Sequence, residues 1–453
     1  MNWKTPESWC VVNLDTICNR ITDGSHNPPA GKPLGLPMLS AKNIKARKIC
    51  FDEYRLISQD AFDHEDKRTN ITPGDVLLTI VGAIGRTAIA LESHQKFTLQ
   101  RSVAVLKPGA IASKYLSYLL ESPEAQSFFE NNAKGTAQKG VYLKTLGGMK
   151  VPVAPAAEQA RIAQVLDGLL AQVDTLKARL DALPALIKRF RQSVFSDAVS
   201  GALTNSWRER NPADVQDSSD QLGQLIEEMR NGLSTKPNES SQGVPILRIS
   251  AVRSGSVDQT DIRFLECDEV EKRRYAIKKG DLLFTRYNGS LDFVGVCGLV
   301  KKASHEIIVY PDKIIRVRCK TDIILPEYLE IFFSECSTRQ RVMNLVKSTS
   351  GQKGISGQDL KSLCVTYPGI SEQLEVVRRV EQLFSFADQL EARLADARQR
   401  VDALTQSILA KAFRGELVPQ DPNDEPASVL LERIAAQRAA DPKPKRGRKA
   451  AAH

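Results

Sequence analysis

Residues 158–194, EQARIAQVLDGLLAQVDTLKARLDALPALIKRFRQSV, place Leu166, Leu169, Val173, Leu176, Leu180, Leu183, Ile187, Phe190 and Val194 at alternating spacings of three and four. That is the seam of a heptad helix. A second stretch 214 residues downstream carries Val380, Leu383, Ala387, Leu390, Leu394, Ala397, Val401, Leu404 and Ile408 in the same register. An apolar stripe of this length cannot stay in water, so each copy needs a partner stripe, and the other copy is the obvious one. Tandem copies that pack about a pseudo-two-fold axis run antiparallel. The first seam spans 29 residues, a rod of roughly 43 Å at about 1.5 Å per residue. The alternative is that the two helices belong to two separate cores.

At 453 residues, 42% apolar and 26% charged, the chain has the composition of an ordinary globular protein of several domains. Its N-terminus, MNWKTPESWC, has no apolar signal region, and no run approaches the roughly 20 apolar residues of a membrane span. The eight cysteines include no C-x-x-C pair and none stands at a metal-ligand spacing from a histidine. This fits thiols in a reducing cytoplasm and argues against a metal site or a membrane. A net charge of +9 points toward a polyanionic partner, with nucleic acid first.

In chain order, residues 1–150 mix strand-like runs (37–39, 75–81, 102–106) with Gly and Pro punctuation and helical patterning at 114–131, an α+β domain. The first long helix follows at 156–200, then a polar stretch at 201–242 that reads as a linker with a short helix at 221–229. A second α+β domain covers 243–368, the second long helix 372–414, and a C-terminal segment 415–453.

The second domain repeats landmarks of the first. Leu-Pro-Met-Leu at 36–39 answers Val-Pro-Ile-Leu at 244–247, and Gly-Asp-Val-Leu-Leu-Thr at 74–79 answers Gly-Asp-Leu-Leu-Phe-Thr at 280–285. Glu158-Gln159 answers Glu372-Gln373 in strict helix register. The helices are alike while the domains drift in length and composition. The fold class that follows is α+β: two similar domains joined by two long antiparallel helices, with an internal pseudo-two-fold repeat.

Two divergent heads on a fixed spacer suit the reading of two short stretches of one polymer. A rod of roughly 43 Å compares with about 34 Å per turn of B-DNA, and unlike heads would read an asymmetric pair of half-sites. On these features the chain resembles the specificity subunits of type I restriction-modification systems. The likeness rests on the two repeated domains and helices, Thr-Asp-Gly-Ser-His at 22–26, Gly-Asp-[Val/Leu]-Leu in both halves, the Glu-Gln pairs, and the repeated helix endings at 193–203 and 407–417. The resemblance implies a non-catalytic reader of double-stranded DNA. It would recruit two modification (methyltransferase) subunits carrying S-adenosylmethionine and restriction subunits carrying ATP and Mg, and would hold no cofactor itself.

Candidate DNA-binding residues are Arg47, Lys48, Arg86 and Arg101 in the first head and Arg248, Arg253, Arg286, Tyr287, Asn288 and Lys313 in the second. Two Gly-flanked loops add Thr136, Gln138 and Lys139, and Gln352 and Lys353. Gln can read adenine in the major groove and Lys neutralises phosphate. A glycine-closed turn bearing a solvated lysine is the competing reading of both loops.

Asn27-Pro28-Pro29-Ala30 is similar to the Asn-Pro-Pro-aromatic tetrad of adenine methyltransferases, but Ala30 cannot stack a flipped base. Gly82-Ala83-Ile84-Gly85-Arg86-Thr87 lacks the spacing and lysine of a phosphate-cradling loop and reads as a tight turn. Pro184, inside the first helix, has Arg398 as its counterpart in the repeat, and the seam passes it without a phase change, so a kink is expected rather than an end. The basic tail 443–449 is similar to minor-groove hooks, or is simply a solvated tail. A self-sufficient methyltransferase would need a cofactor loop that the sequence lacks. A coiled-coil scaffold would show no salt-dependent DNA binding.

Overall fold

The structure, a computed structural model, describes residues 3–135, 138–238, 242–302, 304–349 and 352–440. Thr136 and the basic tail 443–449 lie outside the described residues, and Gln352 is described by its backbone alone. The chain forms two compact units, Met1–Leu180 with Asp396–His453, and Asp181–Ala395.

Each unit is built on a four-stranded antiparallel sheet. In the first the order is Cys18–Asp23, Val103–Pro108, Val76–Thr79, Thr87–Ile89. In the second it is Ile226–Asn231, Ile314–Cys319, Leu282–Thr285, Cys297–Leu299, the same topology. The Gly-Asp motif makes the turn into the third strand: Gly74 and Gly280 take φ of +92° and +88°. The carboxylates of Asp75 and Asp281 accept the Thr72 and Lys278 amides at 2.8 Å.

The strand that follows is apolar throughout because both its faces are covered. Val76 and Leu78 pack with Tyr115, Leu116 and Leu119 of the helix Ser113–Leu120. Leu77, pointing the other way, packs with Leu39, Ile44, Phe97 and Leu99. In the second unit Leu282 and Phe284 face the helix Pro326–Ser334, and Leu283 faces Leu247, Val252 and Ile314.

The expected linker proves different. Asp217–Gln221 pairs antiparallel with Cys364–Pro368, and Ile226–Asn231 is an edge strand of the second sheet, so the only helical turn at 221–229 is a 3-10 turn at Leu222–Gln224 between the two strands. The ribbon strand Asp-Ser-Ser-Asp-Gln is mostly exposed and the edge strand fully buries only Ile226, so neither shows apolar alternation in the sequence. The first unit has the matching ribbon, Cys10–Asn13 with Lys150–Val153. The helix Gln59–Thr69 was also illegible, since it buries only Phe62 and Thr69.

The Glu-Gln pairs are structural clamps. Gln159 donates to the Ala154 carbonyl at 2.8 Å and accepts the Ala112 amide at 3.1 Å. Gln373 donates to the Pro368 carbonyl at 2.8 Å and accepts the Leu325 amide at 2.8 Å. Each ties the start of a long helix to the start of the short helix under its sheet. Glu158 accepts the Trp9 indole at 2.9 Å, and Glu372 accepts Thr204 and Arg208 at 2.5 and 2.6 Å.

The long helices are Ala156–Val199 and Ile370–Phe413. They pack antiparallel within each unit. In the first, Leu166 and Leu170 meet Leu409 and Phe413 in one core, and Lys177 pairs with Asp402 at 2.8 Å. In the second, Phe195 stacks edge-on against Phe384 at 5.0 Å, and Arg191 pairs with Asp388 at 2.5 Å.

Each seam is covered in part, with four of nine positions buried in the first and three of nine in the second. Leu166, Val173, Ile187 and Val194 are buried, as are Val380, Ala387 and Leu394. Leu169, Leu180, Leu383, Leu390 and Val401 are half-buried. Leu176 and Leu404, expected inside, are 44% and 46% exposed, and Leu170 and Thr405 are buried instead. A helix of about 3.6 residues per turn drifts roughly 20° per heptad from a strict 3.5 repeat, and one neighbouring helix covers one narrow stripe.

Pro184 does not end its helix. It removes the amide that the Leu180 carbonyl would accept, and Arg398, its counterpart in the repeat, donates to that carbonyl at 3.3 Å. Arg398→Met is therefore expected to lower stability by about 1–3 kcal/mol, the cost of leaving a carbonyl unpaired. Pro184→Ala should recover part of that loss by restoring the helical bond. A double-mutant cycle in denaturant unfolding measures the coupling, and purely additive effects would refute it.

Candidate nucleic-acid interface

In each unit the two loops singled out by sequence come together at one end of the sheet. Val81 bridges Gly140 antiparallel, and the Gly82 amide donates to the Lys139 carbonyl at 3.2 Å. In the second unit Tyr287–Asn288 pairs with Lys353–Gly354. A side chain on Gly354 would meet the Tyr287 ring at 2.3 Å, so the glycine there admits the neighbouring loop. Gly82 and Gly85 hold φ of +79° and +88°, and the Thr79 hydroxyl ties the Ala83 carbonyl, which makes this segment a tight turn.

The first head presents Lys48, Arg86, Arg101, Gln138 and Lys139 exposed. Arg47 is a correction to the expected set. Its guanidinium is bonded to Glu121 at 3.3 Å and to Asp174 of the long helix. Burial works against its charge, but Glu121 and Asp174 together hold the guanidinium's pKa above its ordinary value. Burial raises the Glu121 carboxyl, and Arg47 and Thr87 oppose that rise. Arg47 fastens the head to its helix through both terminal nitrogens.

The Thr22–His26 motif ends the first strand of the sheet. Asp23 accepts from Arg68 and lies 2.8 Å from His26 Nε2, while Ser25 bridges Gln100 and accepts the Arg101 amide at 2.9 Å. Gly24 is required because a Cβ there would meet the Leu99 carbonyl oxygen at 2.1 Å. Asn27–Ala30 continues as a mostly exposed loop whose Pro28 and Pro29 carbonyls accept from Arg55.

In the second head the corresponding region opens into a cleft of about 1020 Å³. Its lining includes Lys236, Arg248, Arg253, Arg263 and Lys313 against a single carboxylate, Asp312, with Asn288 and Phe293 on its wall. Three of the expected cations and Asn288 thus converge on one concave surface. Arg286 and Tyr287 stand beside it, the guanidinium 4.7 Å from the ring centroid; Lys353 is half-buried on the paired strand. Lys236, Arg263 and Phe293 were missed. Lys236 lies in the stretch read as a linker, Arg263 is one residue of the strand Ile262–Leu265, and Phe293 carries no charge or motif that would mark it. No group of three or more His, Cys, Asp or Glu among the described residues could hold a metal ion, and no described helix is long and apolar enough to cross a membrane.

Residues 6–185 match the family model described as "Type I restriction modification DNA specificity domain". The chain is 43% identical to the EcoKI type I restriction enzyme specificity subunit of Escherichia coli K12, over 98% of this chain and 99% of the relative. It is 30% identical to the StySPI specificity subunit of Salmonella potsdam, over 99% of each. A solved structure of a type I R-M system superposes with a TM-score of 0.64 at 16% identity, covering 92% of this chain and all of that one. The HsdS subunit from Thermoanaerobacter tengcongensis gives 0.53 at 16% identity, over 92% and 99%. With a duplicated fold, a basic cleft and relatives matched from end to end, the chain belongs to the specificity subunits of type I restriction-modification systems.

Proposed function

We propose that this chain reads a two-part, asymmetric DNA target, one half-site per head, and is itself non-catalytic. The observation that carries the reading is that one sheet topology and one loop junction occur twice, with different side chains at each junction. Shared scaffold with divergent surface is what two unlike half-sites require. Phosphate contacts fall to Lys48, Arg86, Arg101 and Lys139 in the first head and to Arg253 and Lys313 in the second. Base edges fall to Gln138, Asn288 and Arg248.

The partners are double-stranded DNA, two modification subunits and, in the full complex, restriction subunits, all in the cytoplasm. S-adenosylmethionine, ATP and Mg belong to those subunits. The uncovered seam supports docking. Leu183, Leu186, Phe190 and Phe386 in the second unit, and separately Leu176 and Leu404 in the first, leave apolar side chains 36–54% exposed on the long helices, and each unit's set is suited to helices of a partner.

Reconstitution tests the reading. The chain alone should transfer no methyl group, and adding its modification partner should yield adenine methylation at one asymmetric bipartite motif; methyl transfer by the pure chain would overturn it. Within that complex, Arg253→Ala or Lys313→Ala should lower affinity and reduce the salt slope of binding by about one. Arg47→Ala should leave the slope unchanged and lower the melting temperature. An Arg47 variant that changed only the slope would return that residue to the DNA.

A further inference from the structure

The loop joining the third and fourth sheet strands differs between the heads. In the first, the Thr79 hydroxyl closes onto the carbonyl of Ala83, four residues on; in the second, the Thr285 hydroxyl closes onto the carbonyl of Phe293, eight residues on. The added residues end in a short helical turn, Leu291–Phe293.

The Phe293 ring is 50% exposed, a poor place for a large apolar side chain unless something covers it. Its mount is rigid. Arg339 donates to the Gly295, Val294 and Asp292 carbonyls at 2.6, 3.0 and 3.3 Å, and the adjoining Val294 is fully buried. The ring stands on the wall of the cleft lined by Lys236, Arg248, Arg253, Arg263 and Lys313. A fixed, exposed aromatic among cations that would neutralise a phosphate backbone is the arrangement of a side chain that stacks on, or wedges between, bases.

We propose that Phe293 is a specificity element of the second head, inserted against an unstacked base step of its half-site, with no counterpart in the first head, where Ala83 stands. This rests on the cleft being the DNA surface, and the two ideas fail separately.

The test uses the full chain with its modification subunits and a duplex in which 2-aminopurine is walked through both half-sites, avoiding the methylated adenine that the partner extrudes. Fluorescence should rise at one step of the second half-site and at none in the first. Phe293→Ala should abolish the rise and weaken binding about 10-fold or more, and Phe293→Trp should keep it, with the new indole quenched in the specific complex. A profile unchanged by Phe293→Ala, or an unquenched indole, would overturn the wedge. So would a loss of affinity in Phe293→Ala that is reproduced by replacing one thymine with uracil, since the ring would then rest on a methyl group. If Arg253→Ala and Lys313→Ala leave affinity and salt slope unchanged, the cleft reading itself falls, whatever the Phe293 variants do.

Discussion

Exchanging residues 14–149 for the same region of another specificity subunit will change one half of the methylated sequence and leave the other half as it was. The boundaries come from the hydrogen bonds that must survive the exchange. The ribbon Cys10–Asn13 with Lys150–Val153 stays whole, as does the Trp9 indole on Glu158. The Gln159 clamp reaches into the exchanged segment only through the Ala112 backbone amide, which any donor sequence supplies. The side chains whose loss the exchange must repair are Arg47, which binds Asp174 of the retained helix, Lys114 and Tyr118, which bind its Asp167, and Tyr115, which donates to the Pro152 carbonyl.

The parallel exchange in the second head is 222–363, which keeps the ribbon Asp217–Gln221 with Cys364–Pro368 and the Arg208–Glu372 pair. An exchange of 243–368, the span that sequence alone suggests, should give poorly folded protein. It pairs the retained edge strand Ile226–Asn231 with a foreign strand in place of Ile314–Cys319, so Glu228 loses Arg316 and Arg318 across that pairing. Mapping methylated adenines in a host expressing each hybrid reads the result. If both halves of the motif changed together under either exchange, the heads would not be independent readers.

What the sequence made legible follows from where burial is periodic. The long helices announce themselves because a stripe repeats over many turns. The third strand of each sheet does so because it is apolar on both faces. The edge strand Ile226–Asn231 and the ribbon Asp217–Gln221 hide because their order comes from backbone pairing with distant segments. Leu176, Leu183, Phe190 and Leu404 of the seam stand exposed for a related reason, since the pattern of leucines does not say how many neighbours will cover them. Among candidate site residues, the loops place Asn288 and Lys313 on the cleft and Lys139 at the junction. Charge alone does not fix a position, as Arg47 shows by pairing with Glu121 and Asp174.

The largest single effect on stability is expected at Arg316. Its side chain is 1% exposed within the second sheet, where Val105 occupies the matching position of the first, paired with Leu77 as Arg316 is with Leu283. The guanidinium donates to the Ala276 and Arg274 carbonyls at 2.8 and 3.2 Å and to Glu228 at 2.7 Å, and it lies 5.4 Å from the Tyr310 ring. Burial opposes ionisation of Glu228, but the Arg230 hydrogen bond and the charges of Arg316, Arg230 and Arg318 prevail and hold its pKa below the ordinary 4.5.

Arg316→Met should cost about 3 kcal/mol, the low end for a broken buried pair, because it strands the Arg274 carbonyl and removes one of the three guanidinium partners of Glu228, while the Ala276 carbonyl keeps Arg318 at 3.2 Å. Adding Glu228→Gln should recover none of the loss, because Arg230 and Arg318 still hold the carboxylate at 2.6 and 3.2 Å. The valine at this place in the first head indicates that the sheet itself does not need the cation. The pH dependence has a definite sign. A carboxyl held below its unfolded value contributes stability above about pH 4.5 and loses it as pH falls through the folded value, so the wild-type second head should weaken on acidification more steeply than the Arg316→Met variant. Hydrogen exchange followed peptide by peptide separates the heads. Protection should fall across 226–319 and remain unchanged across 18–108. Equal loss in both heads would mean that the network supports the whole chain and not the second sheet alone.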